Sequence, residues 1–222
     1  MLYSLLFKEW LKLKRYFAAV LLLNCGICLE IFFNIRQQMY AEHAEMVWYQ
    51  AIHIHSLLYQ DIRYVPLFTG LVLATAQFVP EMMGRRFRLS LHLPVSRSLM
   101  LFFSLLSGVM LYLIICGSTS LCIYLTLQKY FPIEVAQSSL STMVSWVLAG
   151  LIAYFGCASV LLEQSWPRRV FLLLVFVTLV KMLYAGFGYG WLAPALPALV
   201  LLAPLAMFSV FDSARRFQDK GV

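Results

Sequence analysis

The chain has 222 residues and a formal net charge of +7, yet only 12% of its residues are charged while 62% are hydrophobic, with a mean hydropathy of +0.82. Soluble domains carry about 45–50% apolar residues, so this balance argues against a water-soluble domain and for a chain whose apolar surface meets lipid. The charges cluster at the ends of apolar runs, which ties the basic excess to membrane topology and not to nucleic acid.

Residues 1–16 come first. Leu6, Trp10, Leu13 and Phe17 recur at helical spacing while Lys8, Lys12 and Arg15 line another face. This pattern predicts an amphipathic helix in the membrane interface, the alternative being a plain N-terminal extension of the first span. Lys8, Glu9, Lys12, Lys14 and Arg15 interrupt the apolar region that a secretory signal needs, so the segment is expected to stay in the mature protein.

A spanning helix needs about 20 apolar residues, and the first candidate is 17–35, interrupted by Asn24 and Glu30. Residues 36–63 are polar without glycine or proline, and Val47, Ala51, Ile54 and Leu58 share one face, suggesting a helix on the outer interface or folded back on the bundle. The second span is 64–80, with Pro66 at its start and Pro80 expected to bend it into a charged connection, 81–97. The apolar run 98–127 reads as one tilted or locally bent helix, because no charged turn divides it. Lys129 to Ser141 is predicted as an outer loop.

The fourth span, 142–162, carries Gly150, Gly156, Ala158 and Ser159, small residues that permit close helix contact. A tight charged turn, 163–169, leads to a fifth span at 170–189, and 191–211 supplies the sixth, with Pro194, Pro197 and Pro204 in or near it. The expected architecture is therefore all-α: a single polytopic transmembrane domain over 1–222, six spans, both termini cytoplasmic. That topology puts Lys8, Lys12, Lys14, Arg15, Arg85, Arg86, Arg88, Arg97, Arg168, Arg169, Arg215, Arg216 and Lys220 inside and only Arg36, Arg63 and Lys129 outside, with Lys181 in the membrane. This is the positive-inside bias at every inner segment.

Sites of bond chemistry are sparse. No phosphate-cradling loop, dinucleotide fingerprint, HExxH or GxSxG is present, and no cofactor or metal is expected. Cys25 and Cys28 have redox-type spacing but lie inside an apolar run, so they and Cys116, Cys122 and Cys157 are expected as small buried hydrophobes. His43, His53 and His55 sit in the outer segment with Glu42, Glu45 and Asp61; His53 and His55 do not share a helical face, which weakens a metal site. Glu30 and Lys181 fall at comparable depth in their spans and form a possible intramembrane pair, the alternative being that each reaches the interface.

The connection Glu81 to Arg97 alternates exposed Arg85, Arg86 and Arg88 with apolar Phe87, Leu89, Leu91 and Leu93. By itself it is either a rigid piece that inserts into a cytosolic partner or a basic loop that only fixes topology. Glu81, Gly84, Arg85, Leu93, Pro94, Val95, Ser96 and Arg97 resemble the connection in permease subunits of ABC-2 type ABC transporters, where an acidic residue closing the second helix is followed by a coupling helix and a run of leucine, proline, valine or isoleucine, serine and arginine that leads into the third helix. The likeness covers the whole chain in topology and these positions in motif; where the family often has a basic residue early in the third helix, this chain has Leu101, Phe102 and Phe103.

The resemblance implies a permease of an ATP-driven exporter in a prokaryotic plasma membrane, without catalysis of its own. It implies two cytosolic ATP-binding subunits, a second permease subunit that is identical or related, and short or reentrant helices between the fifth and sixth spans. Contact with the ATPase would fall to Glu81, Gly84, Arg85, Arg86, Arg88, Pro94 and Arg97. Two other classes stay open: a non-transporting assembly or immunity-type membrane protein, and a multispan lipid-modifying enzyme using Glu30, His43, His53, His55 and Asp61 as acid and base groups.

Overall fold

A computed structural model describes residues 2–41, 47–49, 59–83, 97–186 and 190–219. Among them the regular structure is helical throughout: α1 (Leu2–Ala41), a 3-10 turn at Gln60–Ile62, α2 (Val65–Met83), α3 (Arg97–Tyr130), α4 (Ile133–Leu162), α5 (Trp166–Tyr184), a 3-10 turn at Ala193–Ala195, α6 (Leu196–Val200) and α7 (Leu202–Asp219). Among the described residues, five segments are long and apolar enough to cross a bilayer: Leu6–Ala41, Gln60–Met82, Ser98–Tyr130, Ile133–Leu162 and Ala193–Arg216. The fifth predicted span, α5, is as long as α2, but Arg168, Arg169 and Lys181 confine its charge-free run to Val170–Val180. At 1.5 Å per residue that run covers only about 16 Å of a hydrocarbon layer roughly 30 Å thick.

α4 is the centre of the bundle. Helices α2, α3, α5 and α7 all pack on it, and 67% of its apolar window is buried, against 17% for α1. A helix buried on most sides needs small residues wherever a neighbour's backbone comes close. A Cβ on Gly150 would collide with the Pro66 carbonyl and the Tyr112 hydroxyl, and one on Gly70 with the Gly150 carbonyl, so α2 and α4 touch backbone to backbone. Gly156 plays the same part toward α5, where a Cβ would lie 2.6 Å from the Phe176 ring. These are the contacts expected of Gly150 and Gly156.

The outer surface is apolar. Leu22, Leu23, Leu29 and Phe33 on α1, Phe171 and Leu174 on α5, and Leu205 and Phe208 on α7 are all exposed. Exposed aromatic residues mark both ends: Trp10, Tyr16 and Trp166 at one, and Tyr40, Tyr64 and Trp191 at the other, as interfacial belts do. The first of these ends also holds Lys8, Lys14, Arg15, Arg168, Arg169, Arg215 and Arg216, and is called the basic end below.

Several expectations change. No break separates residues 1–16 from the first span: α1 is one 40-residue helix, about 60 Å long at 1.5 Å per residue. This is the plain N-terminal extension named as the alternative; of the apolar face Leu13 is buried while Leu6 and Trp10 stay exposed, and Glu9 is buried as well. The expected outer loop from Lys129 to Ser141 shrinks to Phe131 and Pro132, because α4 starts at Ile133. Its serines are compatible with helix: Ser138, Ser139 and Ser141 each donate to a carbonyl three residues back, at 2.7–3.1 Å.

α2 continues through Pro80 to Met83, and α7 extends the last span to Asp219, deep into the tail expected to be polar. The sixth span is not a single helix, since α6 ends at Val200. Pro204 explains the break: it needs no amide partner in the first turn of α7, but its ring would clash with the Val200 carbonyl in a continuous helix. Of the cysteines, only Cys28 and Cys116 are buried; Cys25 and Cys122 face outward and Cys157 is half-buried. In the outer segment Val47 is buried as expected of the apolar face, while Ala51, Ile54 and Leu58 lie outside the described residues.

The contact at Gly150 gives a direct test. Gly150→Ala is expected to cost about 2–3 kcal/mol, as overpacking of a tight core does, whereas Gly117→Ala, with nothing within 4 Å of the new Cβ, should gain roughly 0.5–1 kcal/mol from reduced backbone entropy. Unfolding in mixed detergent micelles separates the two.

Candidate functional site

A charged and polar cluster joins four helices at the basic end. Lys12 on α1 donates to Glu9 Oε2 at 3.0 Å, one turn back on its own helix, and to Glu81 Oε1 on α2 at 2.9 Å. All three side chains are largely shielded, with 18%, 7% and 13% of Lys12, Glu9 and Glu81 exposed. One ammonium thus answers two carboxylates, and their mutual repulsion is held in check only while it stays between them.

Gln77, one turn before Glu81 and fully buried, extends the cluster. Its Nε2 donates to Glu9 Oε2 at 3.2 Å and to the Ser104 carbonyl and hydroxyl on α3 at 2.6 and 3.0 Å. Its Oε1 accepts from the Tyr154 hydroxyl on α4 at 2.7 Å. Gly108 makes room: a Cβ there would strike both the Tyr154 hydroxyl and Gln77 Oε1. The network satisfies every polar atom it buries by crossing between helices, which makes it rigid and costly to break.

Glu81 is therefore the fixed end of α2 immediately before the charged connection. Of the residues predicted to couple to an ATPase, Gly84, Arg85, Arg86, Arg88 and Pro94 lie outside the described residues. Arg97 opens α3. The outer histidines His43, His53 and His55 also fall outside, and among the described residues no three of His, Cys, Asp and Glu gather as a metal site. Glu30 and Lys181 are both exposed, and no ion pair joins them.

The turn between α4 and α5 sits at the same basic end. The Glu163 carboxylate accepts from the Gln164 and Ser165 amides at 3.1 Å each and from the Ser165 hydroxyl at 2.8 Å, while Arg169 donates to the Glu163 carbonyl. Burial by itself pushes the carboxyl upward, but the Ser165 and Gln164 hydrogen bonds together with nearby Arg168 outweigh it and hold Glu163 below the ordinary carboxylate value.

Two further polar sets tie the helices together. At mid-depth Asn24 on α1 donates to Thr69 on α2 at 3.4 Å and accepts from Thr119 on α3 at 3.1 Å, the interhelical role expected of it. At the far end Arg63 donates to the Tyr184 carbonyl and lies 5.6 and 5.7 Å from the Tyr64 and Tyr184 ring centres, a cation–π arrangement. Glu9, Gln77 and Tyr154 escaped the sequence analysis. The signals were there: Glu9 stands three residues before Lys12, and Gln77 is the lone amide of its apolar span, spaced one turn from Glu81.

No protein-family model, curated protein or solved structure matches the chain.

Two measurements probe the site. Lys12→Met leaves Glu9 and Glu81 facing each other and is expected to lose about 3 kcal/mol in micelle unfolding, and the double variant Glu9→Gln, Lys12→Met should lose less than the single. The lowered Glu163 value adds stability that is complete above its unfolded pKa and disappears as pH falls through the folded one. The melting temperature of Glu163→Gln should thus lie below that of the native chain at neutral pH, and the gap should close on acidification through the carboxylate range.

Proposed function

We propose that this chain is the membrane-spanning permease subunit of an ATP-driven exporter in a prokaryotic plasma membrane. It pairs with a second permease subunit, identical or related, and docks on two cytosolic ATP-binding subunits. α5 supplies the sixth crossing: Arg168 and Arg169 stay at the cytosolic interface, and Lys181 snorkels toward the outer one, so its short charge-free run suffices. Both termini then lie in the cytoplasm, and the basic end is the inner one.

The observation that carries the reading is the anchoring of Glu81. A segment that transmits force into a membrane domain must be attached to something stiff, and the last turns of α2 are bound by Lys12 to α1 and by Gln77 to α3 and α4. Motion imposed on 84–96 by closing ATPases would be passed to four helices together and not absorbed in a loose loop. The cargo class that fits an apolar bundle of this kind is amphipathic: lipid-like, peptide or drug-like. Lys12 and Glu81 act as positioning residues, and bond chemistry belongs to the ATPase.

Affinity purification in mild detergent tests the proposal. The native chain should bring down a cytosolic ATPase, and a variant with Arg85, Arg86 and Arg88 changed to alanine should lose it or leave its ATP hydrolysis unresponsive to the permease. Absence of any associated ATPase across several mild detergents would reduce the connection to a topology signal.

A further inference from the structure

A cavity of about 360 Å³ opens on the lipid-facing side of the bundle between α2, α4 and α5, within the size range of small-molecule sites, roughly 300–1,000 Å³. Leu67 and Leu71 form one wall, Gly156 and Phe176 the floor, and Val177 the rim, with Lys181 the single charged residue lining it. The absent side chain at Gly156 is what seats Phe176 low enough to leave the space. Lys181 lies in the last turn of α5, and the Tyr184 carbonyl three residues later takes the hydrogen bond from Arg63, so two cations stand at this helix end beside exposed Tyr64.

We propose that this groove holds one acyl chain of an anionic phospholipid from the surrounding bilayer, with the lipid phosphate paired to the Lys181 ammonium. An apolar groove in a membrane gains little from excluding water, since lipid tails already do so; empty, it forfeits packing contacts along its walls. A chain from the bilayer restores them. Selectivity must come from the headgroup, and charge complementarity decides it: Lys181 has no carboxylate partner among the described residues, lies in the last turn of its helix, from which its long side chain can snorkel toward the headgroups, and is exposed. A basic side chain there favours anionic over zwitterionic lipid. The inference rests on the crossing of the bilayer by α5 proposed above but not on export, because this lipid is a resident of the fold and not its cargo.

Native mass spectrometry of the full chain, stripped of endogenous lipid in detergent and titrated with phosphatidylglycerol or with phosphatidylcholine of matched chains, tests it. The native chain should retain phosphatidylglycerol about fivefold better, the factor one basic residue contributes at an anionic surface. Lys181→Gln should abolish the preference and Lys181→Arg should keep it. Val177→Trp, which fills the groove beside an intact lysine, should lower retention of both lipids. Circular dichroism checks that each variant keeps its helix content. Equal retention of the two lipids by the native chain, an unchanged preference in Lys181→Gln, loss of the preference in Lys181→Arg, or undiminished binding to Val177→Trp would each overturn the proposal.

Discussion

Two glycines set the spacing on which the bundle depends. Gly70 and Gly150 bring the backbones of α2 and α4 into contact, and in lipid, where no hydrophobic force drives helices together, such contact is a main source of association. The close approach also fixes who can reach whom. It holds Tyr154, one turn beyond Gly150, within reach of Gln77, while the bare Gly150 leaves room for the Tyr112 hydroxyl of α3 to donate to the Val147 carbonyl at 2.7 Å. Any side chain at either glycine would move α2 outward and take Gln77 and Glu81 with it.

From that crossing the polar residues form three tiers. Glu9, Lys12, Gln77 and Glu81 close the basic end, Asn24, Thr69 and Thr119 bind the middle, and Arg63 with Tyr64 and Tyr184 closes the other end. Each tier joins α2, or the turn leading into it, to other helices, so α2 cannot rotate without breaking hydrogen bonds at three heights. Formal charge pairing is confined to the basic tier, where water is nearer and desolvation is cheaper; the middle tier uses only neutral groups.

What the sequence made legible follows from which signals survive in lipid. Composition and the placement of basic residues reveal the long apolar helices, and small residues such as Gly150 and Gly156 mark close contacts because nothing else lets backbones touch. The seam at residue 16 misled, since Lys8, Lys12 and Arg15 resemble an interfacial face, while Glu81, the second partner of Lys12, lies on another helix and leaves no local trace. Ser138, Ser139 and Ser141 misled in the opposite way: a polar run suggests a loop, yet hydroxyls that bond back along their own helix satisfy themselves without leaving it. Inward orientation of Glu9 depends on α2 arriving with Gln77, a tertiary fact that periodicity cannot carry.

The middle tier also bears on how the chain is made. α1 is made before α2 and α3, and the partners of Asn24 are 45 and 95 residues further along, so during synthesis the helix meets the bilayer before either exists. A bare amide would then be exposed to hydrocarbon at considerable cost. Asn24 avoids part of it, because its Nδ2 already donates at 2.8 Å to the Val20 carbonyl of its own helix. The residue that later joins three helices can thus enter the bilayer with one of its two N–H donors occupied, and the nascent α1 can wait as a lone rod in lipid until its neighbours are translated.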